Sequence, residues 1–309
     1  MAHPSDSKFS GNVSASAGAS GVVPTGDARS GKTGRTRPFT LPGCSAIITG
    51  ASSGLGAEFA RQLRLTASTL VLAARSGDAL EKLKAELGNG QLQVHVVACD
   101  LSTDAGRAAL WEKVSTLPTP PNLLINNAGL GDYGEFMAAP EARIHSQIDL
   151  NITALTMLTH EFVARTQATE DRPSAVINIS SLASTTPVPD LAVYAATKSY
   201  VSSLTEGLAI ELESRHIRLL AVCPGPTPTN FGKNARREAD KDIDRSGQDL
   251  LTVPPQRVVS SALHSLEAGH RRMFPGKRVA LAAFLFEKMP RWMMRGILTA
   301  RYRRAMSKS

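Results

Sequence analysis

A chain of 309 residues has room for one large or two small domains, and its 42% hydrophobic and 20% charged residues suit a globular protein. No apolar stretch approaches the roughly 18–20 residues that cross a membrane. The net charge of +8 divides into +3 for residues 1–40, −5 for 41–269 and +10 for 270–309, so the basic charge lies on the tails and no nucleic-acid partner is expected for the body.

Residues 1–40 are rich in Ser and Gly and hold little that could form a core, which predicts a disordered N-terminal segment. They contain no apolar h-region of a secretory signal. Gly26 to Thr33 spells a complete Gly-x-x-x-x-Gly-Lys-Thr phosphate loop. That motif works only between a buried strand and a helix, and Ala/Gly/Ser sequence surrounds this one, so it is read as a look-alike.

From residue 44 short apolar runs alternate with amphipathic stretches, the pattern of a parallel sheet covered on both faces. Strands are predicted at 45–49, 69–73, 93–99, 123–126, 175–180, 219–223 and 272–274. Helices are predicted after the first strand and at 78–87, 105–115, 143–165, 194–213 and 257–266. The expected architecture is α/β, a single doubly wound Rossmann domain over residues 41–275 with a seven-stranded parallel sheet. Residues 276–309 follow as a basic, apolar helical tail.

The first predicted strand runs into Gly50-Ala51-Ser52-Ser53-Gly54-Leu55-Gly56 and then an amphipathic helix. Glycines in that position let the backbone approach a pyrophosphate, and the helix N-terminus offers N–H donors and a favourable dipole. About 20 residues on, an acid would hold the ribose hydroxyls of NAD. This chain has Arg75 there and no acid in Leu72–Ser76. A guanidinium suits a 2′-phosphate through a forked, charged hydrogen bond, so NADP is the expected cofactor. A solvated surface arginine is the plainer alternative.

Tyr194 and Lys198 stand one helical turn apart on one face. A free phenol ionises near pH ~10, and a neighbouring ammonium favours the phenolate, so the pair can serve as a general acid/base at a carbonyl or alcohol oxygen. Ser180 and Ser181 close the fifth predicted strand at its carboxyl end, where open α/β sheets bind ligands, and either hydroxyl could meet a substrate oxygen.

Thr49–Gly56, Asn126-Asn127-Ala128-Gly129, Asn151, Ser181, Tyr194/Lys198 and Pro224-Gly225 together resemble the classical short-chain dehydrogenase/reductases, over roughly residues 41–275. The resemblance implies a nicotinamide cofactor and hydride transfer between a ketone and a secondary alcohol. It singles out Ser181, thirteen residues before Tyr194, over Ser180, and makes Asn151 the anchor of a water that relays protons to Lys198. It also places Asp100 and Leu101 against the adenine, lays Asn127, Ala128 and Gly129 along the cofactor, and has Thr229 hold the nicotinamide carboxamide after Pro224 and Gly225. A homo-oligomer is implied as well. The alternative is a catalytically silent NADP-binding scaffold or sensor.

Three prolines in Pro224–Pro228 stiffen the exit from the sixth strand, and the polar stretch 230–252 without an apolar stripe reads as a mobile substrate lid. Cys44, Cys99 and Cys223 lie in or beside apolar runs and read as reduced thiols of a cytoplasmic protein. The histidines show no metal-ligand spacing, so no metal is expected. In the tail, Val279–Phe286 and Trp292–Met294 combine with arginines in a way that allows peripheral contact with an anionic membrane, or binding of a lipid-like substrate. Arg301 interrupts the apolar arc of Met294, Ile297 and Leu298, and packing on the domain or a subunit is the favoured expectation there.

Overall fold

The computed structural model describes residues 38–88, 90–237 and 249–306. The Gly26–Thr33 look-alike, residues 1–37 of the expected disordered segment and residues 238–248 of the expected lid lie outside the described residues. Along the chain run β1 (Ser45–Thr49), α1 (Gly54–Leu63), β2 (Thr69–Ala74), α2 (Gly77–Leu87), β3 (Gln93–Ala98), α3 (Asp104–Ser115) and β4 (Leu123–Asn126). There follow α4 (Glu141–Ile148), α5 (Leu155–Arg165), β5 (Ser174–Ile179), α6 (Ala192–Glu211), β6 (Ile217–Val222) and the short α7 (Phe231–Asn234). The chain then continues through α8 (Pro255–Glu267), β7 (Arg272–Met273), α9 (Lys277–Lys288) and α10 (Arg291–Met306).

The seven strands form one parallel sheet in the order β3-β2-β1-β4-β5-β6-β7. Successive side chains of a strand point to opposite faces, and the core divides accordingly. Ala46, Ile48, Leu70, Leu72, Leu123 and Ile125 join one cluster with Phe59 and Leu63 of α1, Leu80 of α2 and Val258 of α8. Ile47, Val71, Leu124 and Val176 join the other with Leu110 of α3, Phe162 of α5 and Ala209 of α6. Burial on both faces explains why these strands read as unbroken apolar runs, each such side chain contributing roughly 1.5–3 kcal/mol.

Two boundaries differ from expectation. The predicted helix over 143–165 is interrupted: α4 and α5 are joined by a wider π turn over Asp149–Ala154, an irregularity that periodicity cannot reveal because the apolar spacing continues across it. At the N-terminal end, Phe39 is fully buried and the Leu41 amide donates to Glu267 Oε1 at 3.0 Å. The packed body thus begins just inside the segment that composition assigns to the tail.

Candidate active site

The strand order reverses between β1 and β4, and ligands in open α/β sheets bind at such a point, beyond the carboxyl ends of the strands. Here β1 delivers Gly50, which adopts φ +63°. A Cβ on Gly56 would lie 2.3 Å from the Gly50 carbonyl oxygen and 2.6 Å from Asn127 Nδ2. Only a bare backbone lets α1 start this close to the end of β4, so the cradle requires the glycine. Thr49 and Asn127 stitch the two strand ends together: Thr49 Oγ1 accepts from the Asn127 and Ala128 amides, each at 3.0 Å, and Asn127 Nδ2 donates to the Thr49 and Gly50 carbonyls at 2.9 and 3.1 Å. Asn126 instead turns inward, donating to Thr159 Oγ1 at 3.0 Å and Asn178 Oδ1 at 2.9 Å in the middle of the sheet.

Next to this point opens a cleft of about 790 Å³. Gly50, Ser52, Ser53, Gly54, Leu55, Arg75, Asp100, Leu101, Asn127, Ala128, Gly129, Ser181, Tyr194, Lys198, Pro224, Gly225 and Thr229 all line it. Of the residues singled out from the sequence, Gly56 lies beneath the loop and Asn151 stands behind the wall. Arg75 is exposed just past the end of β2. Its charge helps to lower the Asp100 carboxyl, although the larger cause is the hydrogen bond from Ser102, whose hydroxyl donates at 2.7 Å. The N-cap of α3 is Thr103, which accepts from the Gly106 amide at 3.0 Å, so Asp100 itself does not cap the helix. The Thr229 side chain lies against Gly54, 3.3 Å from where a Cβ would stand.

Ser181 follows β5 and begins a short 3-10 turn, accepting from the Ala183 amide at 3.1 Å. It lines the cleft together with Tyr194. Ser180 is committed elsewhere: its Oγ donates to the Lys198 carbonyl at 2.8 Å and pairs with Ser202 at 2.8 Å in the interior. Geometry therefore ties the Ser180 hydroxyl into the core, whereas Ser181 begins the turn beside the cleft. Burial pushes the Tyr194 phenol up, and the neighbouring Ser181 hydroxyl offsets part of that rise. Lys198 is buried too; desolvation lowers its amine from 10.5 to about 8, and its Nζ donates to the Ile179 carbonyl at 2.8 Å.

Asn151 is fully buried within the π turn. Its Oδ1 accepts from the Leu130 amide at 2.8 Å, and its Nδ2 donates to the Leu130 carbonyl at 2.8 Å and to Thr197 Oγ1 at 3.1 Å. A Cβ on Gly129 would fall 3.3 Å from Asn151 Oδ1 and 3.4 Å from Lys198 Nζ, so these two polar groups meet over the same glycine.

Several contributors were not legible beforehand. Phe231 of α7 lines the cleft and packs on Tyr194, with ring centroids 5.5 Å apart at 49°. Asp132, 3% exposed, holds Arg143 of α4 at 2.8 Å and Arg237 at 2.6 Å. Residues 230–237 of the expected lid are thereby anchored to the body. Composition marked this segment as polar, yet polarity here serves a buried ion cluster whose members lie as far as 105 positions apart. The tail takes part as well. Val279 and Ala283 of α9 and Met294 of α10 are buried, while Phe286, Met289, Met294, Ile297, Leu298 and Arg301 line the cleft. Arg301 thus ends an α10 stripe that faces the cleft, which accounts for its place in an otherwise apolar arc.

Among the described residues no helix is long and apolar enough to cross a membrane. A family model described as short chain dehydrogenase matches residues 45–240. A dehydrogenase/reductase SDR family member 11 from Gallus gallus is 33% identical over 232 residues, covering 72% of this chain and 90% of the relative. Among solved structures, a short-chain dehydrogenase from Sphingobium yanoikuyae in complex with NADPH is 27% identical with a TM-score of 0.64, over 86% of this chain and 96% of that one. A bulky-bulky ketone specific alcohol dehydrogenase from Comamonas testosteroni is also 27% identical with a TM-score of 0.64, over 86% and 94% of the two chains. The chain belongs to the short-chain dehydrogenase/reductase family and is an oxidoreductase that works with a nicotinamide dinucleotide.

Proposed function

We propose that the protein interconverts a ketone and a secondary alcohol with NADP(H), using Tyr194 as general acid/base. The observation that carries this reading is the convergence of Ser181, Tyr194 and Lys198 on one cleft beside the glycine cradle. A carbonyl oxygen received between the two hydroxyls gains a donor from Ser181 and a proton from Tyr194, the two things it needs as negative charge develops on it. Lys198, held by the Ile179 carbonyl, supplies positive charge near the phenolate that remains. Asn151 holds the Leu130 backbone and approaches the same glycine as Lys198, which suits it to steady a proton path to the lysine.

The cradle of Gly50, Gly54 and Gly56 suits a pyrophosphate, since side chains there would meet Ala128, Thr229 and the Gly50 carbonyl and push the loop out of its close packing. Arg75 suits a 2′-phosphate, Asp100 and Leu101 an adenine, and Thr229 beside Gly54 the carboxamide end. The dinucleotide, when bound, supplies or accepts the hydride. Beyond Tyr194 the wall turns apolar, with Leu191, Phe231, Leu251, Phe286 and Met289, which favours a bulky apolar ketone. The name of the Comamonas testosteroni relative points the same way.

The test is NADPH oxidation followed by absorbance across aromatic, steroid and medium-chain aliphatic ketones, in wild type and Tyr194→Phe. Removal of the hydroxyl should lower kcat by about two orders of magnitude or more while NADPH still binds. Near-normal turnover by the variant would refute the role of Tyr194. NADPH binding without turnover of any ketone would favour the silent scaffold instead.

A further inference from the structure

The two tail helices present different chemistry on their two sides. Inward, Val279 and Ala283 pack into the core, and the residues already described wall the cleft. Outward, α9 carries Lys277, Leu281, Phe284 and Lys288 at spacings of four, three and four, which places them in one stripe. Leu281 is 59% exposed and Phe284 57%. On α10, Trp292 is 72% exposed and shares a stripe with Arg295 and Arg303 at the same kind of spacing. Leu285 adds to this exposed apolar surface. Arg278 and Arg291 are exposed beside it.

Charge decides what such a face can meet. Glu287 is the one acid of residues 270–309. It is spent on Arg272, at 2.9 Å, in a cluster that also takes Glu206 of α6 at 3.3 Å. That leaves cations alone among the charged residues of the outward stripes. A second copy of the same face would bring like charge against like charge, and a neutral apolar partner would leave the cations without counterions. A surface that is anionic outside and apolar within satisfies both kinds of side chain at once.

We infer that the outward face of α9 and α10 seats on an anionic lipid bilayer, with Leu281, Phe284, Leu285 and Trp292 entering the headgroup boundary and Lys277, Arg278, Lys288, Arg291 and Arg295 meeting lipid phosphates. The lipid contact involves neither Tyr194 nor the dinucleotide, so a protein inactive on every ketone still tests it. Because α10 walls the cleft with its other side, attachment brings the mouth of the cleft close to lipid-borne apolar compounds.

The full chain is sedimented with vesicles of phosphatidylcholine alone and of phosphatidylcholine with phosphatidylglycerol, at low and high salt. Binding should require phosphatidylglycerol and weaken at high salt. The triple variant Lys277→Gln/Arg278→Gln/Lys288→Gln should weaken it roughly a hundredfold, since each cation near an anionic surface matters several-fold. Leu281→Ser/Phe284→Ser/Trp292→Ser should cost at least about tenfold. All six side chains lie outside the cleft and are exposed, so both variants should keep the wild-type Tm, and the wild-type arms stand without either. Absent binding at low salt, equal binding to both vesicle types, or unchanged binding by both variants would overturn the inference. So would sedimentation equilibrium showing that the apolar triple variant breaks an oligomer, which would make this face a subunit interface.

Discussion

Lys198 Nζ stands 5.7 Å from the centroid of the Tyr194 ring and donates to the Ile179 carbonyl of β5, while Ser181, in the turn after β5, lines the same cleft as the phenol. The helical spacing of four brings the two side chains together, as the sequence implies. The lysine's hydrogen bond nevertheless goes to β5, so strand and helix both position the pair.

The lowered Lys198 amine makes stability depend on pH. Between about 8 and 10.5 the unfolded chain holds a proton that the native lysine has lost, so the unfolding free energy rises with pH across that window. Below about 8 the cost of burying the cation is present in full. Thermal melts of Lys198→Met should show a flatter Tm profile across the window and a higher Tm than wild type below it. Parallel profiles for the two proteins would contradict the buried, depressed amine.

Arg75 is the group proposed to choose the cofactor. Arg75→Ala should weaken NADPH binding by about 1.5–3 kcal/mol, or roughly ten- to hundredfold in Kd, and leave NADH nearly unchanged. Titration calorimetry with both cofactors reads the difference directly. Equal losses would show that the arginine does not meet a 2′-phosphate.

Gly56 and Gly207 offer a paired test of the cradle. A methyl group on Gly56 would press on the Gly50 carbonyl at 2.3 Å, whereas one on Gly207, within α6, meets nothing within 4 Å. Gly56→Ala should destabilise by about 1–3 kcal/mol through forced backbone movement and abolish tight dinucleotide binding. Gly207→Ala should stabilise by about 0.5–1 kcal/mol as a plain helix substitution. Denaturant titrations with and without NADPH separate the two.

Asp132 holds the Arg237 end of the 230–237 segment against the body. Asp132→Ala leaves Arg143 and Arg237 facing an empty partner position, which should cost about 2–3 kcal/mol; the 37% exposure of Arg143 keeps this below the range for a fully buried pair. Phe231 would then be less firmly placed on Tyr194, so KM for a ketone should rise more than kcat falls. A reversed pattern, with kcat lost at constant KM, would argue against a positioning role.

The residues carrying local signals were legible in advance. Strands such as 45–49 and 123–126 announce themselves because burial on both faces demands unbroken apolar runs, and the Gly50–Gly56 loop does so because close backbone approach excludes other residues. The pairing of Tyr194 with Lys198 follows from the helical repeat alone. The family resemblance already preferred Ser181 over Ser180, and tertiary structure supplies the physical difference: the Ser180 hydroxyl is tied to the Lys198 carbonyl and Ser202 in the interior. Tertiary structure also decided that Asn151 reaches Leu130 from a π turn, that Asp132 joins arginines from two distant segments, and that Glu287 turns inward to Arg272. Local sequence reports on φ, ψ and the periodicity of burial, whereas these contacts join groups from distant parts of the chain whose meeting depends on how the sheet and its helices pack.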